Sequence, residues 1–383
     1  MLVVVLVASG LEMRSHLLES LHESRQRLLG SAAAPTITLL APAYNEALTV
    51  SESVRSLLTL SYPNLEVVVI NDGSSDDTVS VLQRDFDLVA VHPIFQRRVQ
   101  SEPIRQILRS RTSPGLVVVD KHNGGKADAL NAGVNVASGE LVCAIDADTI
   151  IESDALLRMV RPFLYRNDVV AAGGTIRVVN GSRVSEGRVV DAHAPNTALA
   201  ALQAVEYLRA FLTGRLGWNR LGGNLIISGA FGLFRRDAML AAGGYEHDTV
   251  GTAPSPSSRS HTFCSSSCSH PSSKRSDCSA CSQASLSARC TGPSRCSSSR
   301  WPTALGSMIS VFTVALEQWS YRAYGGLRDR LHLTVWAMVE GFGYRQLTTV
   351  WRLRGLVKYL RGKNDWGVMT RTGFAVSPPA GGD

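Results

Sequence analysis

The stretch Glu140-Leu141-Val142-Cys143-Ala144-Ile145-Asp146-Ala147-Asp148-Thr149-Ile150 decides how the rest of the chain is read. The apolar run Leu141–Ile145 has the length of a buried strand, and it ends in two carboxylates spaced i, i+2. In an open α/β sheet the carboxyl ends of the strands border the crevice where ligands gather. Carboxylates there suit a hard divalent cation, which takes oxygen ligands from one or two carboxylates and from substrate phosphates. An isolated Asp-x-Asp reads first as a cap for the helix that follows. The neighbouring strands reverse that preference.

Working outward, apolar runs at 36–41, 65–70 and 116–119 read as strands, and residues 46–58, 75–84 and 126–137 read as helices. Strand and helix in alternation predict an α/β fold with a mostly parallel sheet covered on both faces. Each strand ends in polar residues. Asn45-Glu46 follow the first, Asp72 the second, His122-Asn123-Gly124-Gly125-Lys126 the third, and Asp146 and Asp148 the last. Asn71-Asp72-Gly73 is by itself an ordinary turn signal and Gly124-Gly125 an ordinary loop. Lys126 is less expected, because a cation at a helix start opposes the helix dipole unless an anion lies nearby.

The chain has 383 residues, 44% hydrophobic and 19% charged, with a net charge of +7, which fits one large domain with appendages. Aromatic content is 7%, and no dense Lys/Arg stripe precedes residue 300, so nucleic acid is not expected as a partner. Residues 1–9 are apolar but shorter than the roughly 20 residues a membrane span takes. They lack a basic leader and a small-residue cleavage site, so a signal peptide is not expected. They read as the end of a transmembrane helix whose beginning is missing, or as a short buried segment. Arg14, Arg25 and Arg27 place the following domain on the cytoplasmic side of the inner membrane.

Four ordered motifs carry a resemblance. They are Ala41-Pro42-Ala43-Tyr44-Asn45-Glu46, Asn71-Asp72-Gly73-Ser74-Ser75-Asp76-Asp77-Thr78, the run from Asn123 through Lys126, Asp128 and Asn131 to Gly133, and Asp146-Ala147-Asp148-Thr149. Over about residues 35–250 the chain resembles the family 2 glycosyltransferases, in particular the membrane-bound bacterial branch with poly-N-acetylglucosamine, cellulose and hyaluronan synthases. The resemblance implies a GT-A fold, a Rossmann-like sheet flanked by membrane-associated helices. It further implies a UDP-sugar donor, Mg2+ or Mn2+, inversion at the anomeric carbon, and a glycan or lipid-linked acceptor at the membrane.

Carried over by position, Asn45 and Glu46 meet the nucleotide and Asp72 contacts uracil or ribose. Lys126 and Asp128 line the donor pocket, and Asp146 and Asp148 hold the metal, Asp146 also touching the donor. Ser228, Gly229 and Ala230 match the acceptor side. On the residues alone, that last segment reads equally as a tight strand pair before a helix starting near Asp237.

The resemblance breaks after Ala242-Gly243-Gly244-Tyr245. The family continues with a Gly-Glu-Asp or Thr-Glu-Asp motif that supplies the general base, and this chain does not. The catalytic base is therefore unassigned, Glu246 and Asp248 being the nearest carboxylates. Residues 251–300 are rich in Ser, Cys and Pro and hold six of the seven cysteines. Zinc ligation would find one tight pair, Cys278-x2-Cys281. Disulfides conflict with a cytoplasmic domain. A shifted reading frame accounts for more, since Leu/Val-rich codons in a GC-rich gene read one nucleotide late give Ser and Cys. Out of frame, the segment is expected to be disordered.

Family-like sequence resumes at Leu316-Glu317-Gln318-Trp319 and at Gly343-Tyr344-Arg345-Gln346. Arg300-Trp301 reproduces only the end of the family's Gln-x-x-Arg-Trp, with Ser297 at the Gln position. The expected divisions are a partial anchor and linker (1–34), the GT-A domain (35–250), the aberrant segment (251–300), membrane-associated helices (301–345) and a tail (346–383). Of the apolar runs 304–316 and 331–344, one is expected to span the membrane and the other to lie at its surface. Three functions follow: transfer of sugar from a UDP-sugar to an acceptor hydroxyl in polysaccharide synthesis, a non-catalytic relic that binds UDP-sugar and metal, and nucleotidyl transfer. The last leaves the 228–230 segment and the C-terminal region without an account.

Overall fold

A computed structural model describes residues 2–22, 34–146, 149–175, 177–178, 180–185, 188–221, 227, 231–246, 300–320, 326–342 and 344–360. The strands are β1 (Ile37–Ala43), β2 (Leu65–Asp72), β3 (Leu88–Val91), β4 (Ile104–Ser110), β5 (Leu116–Lys121), β6 (Leu141–Ile145), β7 (Ala171–Gly173), β8 (Arg183–Ser185), β9 (Arg188–Asp191) and β10 (Phe231–Arg235). Eight of them form one sheet in the order β3-β4-β5-β2-β1-β6-β10-β7, and β8 pairs with β9.

The expected α/β class holds, but the sheet is mixed rather than mostly parallel. Its centre, β5-β2-β1-β6, is parallel, while the flanking pairings β3-β4, β4-β5, β6-β10 and β10-β7 are antiparallel. The β4–β5 link is only the turn at 111–115, too short for the dozen or more residues a parallel crossover needs. At the other edge, β10 of the 227–236 segment joins the sheet, and the helix Arg236–Ala241 follows it directly.

Alternation along the central strands divides the core. Val67 and Val69 of β2 pack with Leu39, Val54, Leu57, Leu82 and Phe86 on one face. Val68 and Ile70 pack on the other with Leu40, Val119 and the helix Lys126–Val136. That helix is buried from Asp128 to Asn135 and approaches the sheet closely at Gly133, where a Cβ would lie 3.0 Å from both Ile70 and Leu40. Its two buried amides bind backbone. Asn131 accepts from Tyr245 N at 2.7 Å and donates to Tyr245 O at 2.9 Å, while Asn135 bonds the backbone of Arg98 and Val99. Burial pushes the Cys143 thiol in β6 well up, so it acts as a small apolar side chain.

A helical layer lies beside the sheet. Ala198–Leu208, a π-helical stretch Arg209–Gly214 and Arg215–Arg220 run on without a break. Arg300–Ser320 and Leu327–Val339 pack on them through Ala204, Val205, Val314, Leu333 and Ala337. Leu2–His22 joins through Met13, against Leu212 and Leu316. The helix Tyr344–Leu360 crosses the boundary expected between membrane helices and tail.

Among the described residues, no helix is long and apolar enough to cross a membrane, so the expected span is not found there. Glu317, directly after the first apolar run, and Glu340, inside the second, are buried within the layer, Glu340 held by Arg209 at 2.8 Å. Residues 251–299 of the aberrant segment, with the disorder expected there, lie outside the described residues.

Candidate functional site

The carboxyl ends of β1, β2, β5 and β6 share one edge, and the loops beyond them are tied together. Asn45 takes a left-handed φ of 54°, a conformation Asn tolerates better than most residues. This turns its side chain so that Oδ1 accepts from Ser75 N at 2.9 Å, while Asn45 N donates to Ser74 Oγ at 2.9 Å. Glu46 N donates to Thr78 Oγ1 at 2.9 Å, and Ala47 N to Asp76 Oδ2 at 3.1 Å. Burial works to raise the Asp76 carboxyl, but the Thr78 hydroxyl and the amides of Ala47 and Thr78 outweigh it and hold the group below its usual value. The first two strand-end loops are thus one unit.

The floor of the edge was not visible in the sequence. Asn71 and Asp72 stay in the ladder of β2 and pair in register with Asp120 and Lys121 of β5. Lys121, 0% exposed, donates to Asp72 Oδ1 at 2.6 Å and lies 2.5 Å from Asp128 Oδ1. Asp72 also accepts from Gly124 N at 3.0 Å and Gly125 N at 2.8 Å, and Asp128 from Glu102 N at 2.9 and 3.0 Å. A lysine ending an apolar strand was the available signal. A cation buried there requires carboxylates around it.

At the rim, Lys126 ion-pairs with Asp146 across the crevice, with side-chain exposures of 55% and 34%. A shallow pocket beside this pair is lined by Pro42, Ala43, Val50, Ser53, Asp146 and Thr149. The Asp146 carboxylate is a hard oxygen donor that already faces a cation, which fits Mg2+ or Mn2+. Among the described residues, no cluster of three or more His, Cys, Asp or Glu could hold a metal by itself.

The structure therefore brings Asn45, Glu46, Asp72, Lys126, Asp128 and Asp146 to one edge. Asp148, Ser228, Gly229, Ala230 and Asp248 lie outside the described residues. Glu246 is described and exposed.

A sequence profile described as "Glycosyl transferase family 2" matches residues 38–240, more than half of the chain. The chain belongs to glycosyl transferase family 2. The match runs from Thr38 in β1 through β10, with all four strand-end loops. Among curated relatives, a poly-beta-1,6-N-acetyl-D-glucosamine synthase of Staphylococcus epidermidis is 30% identical over 227 residues, covering 59% of this chain and 46% of that protein. The synthase of the same name from Staphylococcus aureus strain COL is 28% identical over 215 residues, 56% and 43% of the two chains. This family 2 chain spans about half the length of the curated relatives it matches.

Among solved structures, a mannosyltransferase from Pyrobaculum calidifontis in complex with GDP-Man and Mn2+ aligns with a TM-score of 0.38 and 21% identity, covering 65% of this chain and 60% of that one. A glucosyl-3-phosphoglycerate synthase of Mycobacterium tuberculosis aligns with a TM-score of 0.33 and 20% identity, covering 57% and 64%.

Proposed function

We propose that this chain binds a UDP-sugar and Mg2+ or Mn2+ at the shared edge of β1, β2, β5 and β6, in a GT-A domain, and transfers the sugar with inversion to an acceptor hydroxyl in polysaccharide synthesis. The observation that carries the proposal is the joining of the strand-end loops, with Lys126 facing Asp146 across the crevice. Asp146 and Asp148 would hold the ion, which when bound supplies positive charge to the departing diphosphate. Lys126 adds a point charge for the same phosphates. Asn45 and Glu46 bound the nucleotide side, and Ser228, Gly229 and Ala230 the acceptor side. The product named for the relatives makes UDP-N-acetylglucosamine the first donor to try.

The proposed setting is the cytoplasmic face of the inner membrane, with a glycan or lipid-linked acceptor. Exposed apolar side chains on the helical layer, including Met308, Phe312, Leu331, Val335 and Met338, support a lipid-facing surface. A second reading, binding without transfer, is favoured by the missing base motif after Tyr245. Calorimetry with UDP and Mn2+ on the wild type and on Asp148→Ala tests the site. The substitution is expected to abolish metal-dependent binding, and unchanged affinity overturns the metal assignment. Turnover of UDP-N-acetylglucosamine by the wild type separates transferase from relic.

A further inference from the structure

We propose that Lys121 is a positioning residue for the donor site. Its buried ammonium pins the loop 122–125 and thereby sets Lys126 opposite Asp146. The proposal rests on the donor-site reading above and deepens it.

Three features point this way. First, Lys121 has no access to solvent, and its ammonium is held by Asp72 Oδ1, Asp128 Oδ1 and the carbonyl of His122, at 2.6, 2.5 and 2.5 Å. These partners come from β2, from the helix Lys126–Val136 and from the loop itself, so a single nitrogen joins the three parts that frame the donor edge. Secondly, one ammonium faces two carboxylates. The remaining negative charge is met by backbone amides, those of Gly124 and Gly125 on Asp72 and that of Glu102 on Asp128. The loop amides therefore sit where they do because Lys121 holds the Asp72 carboxylate fixed beneath them.

Thirdly, the loop is tightly packed at Asn123 and Gly124. A Cβ on Gly124 would lie 2.6 Å from the Asp128 carboxylate, and one on Gly73 would lie 2.6 Å from Asn123 N. Asn123 Nδ2 also donates to Asp72 O at 2.8 Å. Lys126 opens its helix immediately after this loop, so the direction in which its stem leaves is inherited from the floor. Without the Lys121 ammonium, two buried carboxylates would repel each other, and the amides would lose their fixed acceptor.

The test uses the full chain. Lys121→Met leaves both carboxylates uncompensated, while Lys121→Met/Asp128→Asn removes one charge of each sign and guards against simple failure to fold. Leu82→Ala, in the core on the other face of the sheet, is the destabilised control. Hydrogen exchange followed by mass spectrometry reads the protection of the Gly124 and Gly125 amides, and calorimetry reads UDP binding with Mn2+.

In the folded double variant, protection at 124–125 is expected to fall at least tenfold while β1 and β6 stay protected, and UDP affinity is expected to fall at least tenfold. Leu82→Ala should lower protection across the sheet without singling out the loop. Wild-type protection at 124–125 in the folded double variant overturns the proposal, as does a selective loss there in Leu82→Ala. If wild type itself fails to bind UDP, the donor-site reading falls, and the exchange comparison still decides whether Lys121 holds the loop.

Discussion

The floor and the rim of the crevice use the same chemistry, a lysine against aspartate, in opposite surroundings. Lys121 on the floor is out of contact with water and holds two carboxylates, whereas Lys126 at the rim is half exposed and faces one. Removing one member of a buried pair leaves an uncompensated charge, while an exposed pair loses little because solvent screens both partners. The floor is therefore structural, and under the proposed donor-site function the rim is the part whose cation and carboxylate would exchange partners with a phosphate or metal.

The sharpest way to break this comparison is to substitute both lysines. Lys121→Met is expected to cost about 3–5 kcal/mol in urea unfolding, and Lys126→Met no more than about 1 kcal/mol. Equal costs would erase the distinction between the two corners. Gly73→Ala strikes the floor from the backbone, because Gly73 has φ +67° and an added Cβ would meet Asn123 N at 2.6 Å. A loss of about 1–3 kcal/mol is expected in the same assay; a neutral result would show that the loop has room to move.

At the rim, Lys126→Met is expected to weaken UDP binding about tenfold, which corresponds to about 1.4 kcal/mol, with little change in urea midpoint. Calorimetry checks this, and undiminished affinity would remove Lys126 from the diphosphate site.

The smallest effect belongs to an exposed contact remote from both corners. His193 lies between Asp329, 3.1 Å from Nδ1, and Asp191, 3.0 Å from Nε2, joining the β8–β9 ribbon to the helix Leu327–Val339. The hydrogen bond to Asp329, then that to Asp191, raises its pKa above the ordinary imidazole value. A raised folded-state pKa means the contact stabilises fully below about pH 6.5 and is lost as pH rises through the folded value. Wild type should therefore show a small fall in Tm between about pH 6 and pH 8 that His193→Gln lacks. Identical profiles would show that the contact carries no charge.

Much of this sheet edge could be read from the chain because apolar runs ending in polar residues mark strand ends. β6 was read at its observed bounds, and β1, β2, β5 and the helix Lys126–Val136 within a few residues. The apolar runs end at Ile70 and Val119, two residues short of the ends of β2 and β5, where Asn71-Asp72 with Gly73 form a turn signal and Asp120-Lys121 are charged. In the sheet they continue the ladder because each pair is compensated across it, Asn71 Nδ2 donating to Asp120 at 2.7 Å and Lys121 to Asp72. The antiparallel flanks were missed for a related reason. Residues 104–110 carry Arg105 and Arg109 on an exposed face, which interrupts the apolar run expected of a central strand but suits a strand with one wet side.

The sequence by itself determined the family, the order of the strand ends and the residues that meet at them, because these depend on local periodicity and on motifs a few residues long. Only the tertiary structure decided that Lys121 joins Asp72 and Asp128. The strand pairing brings together groups 49 positions apart in the chain, so a lysine ending an apolar strand can mark a buried charge locally but not the carboxylates that compensate it.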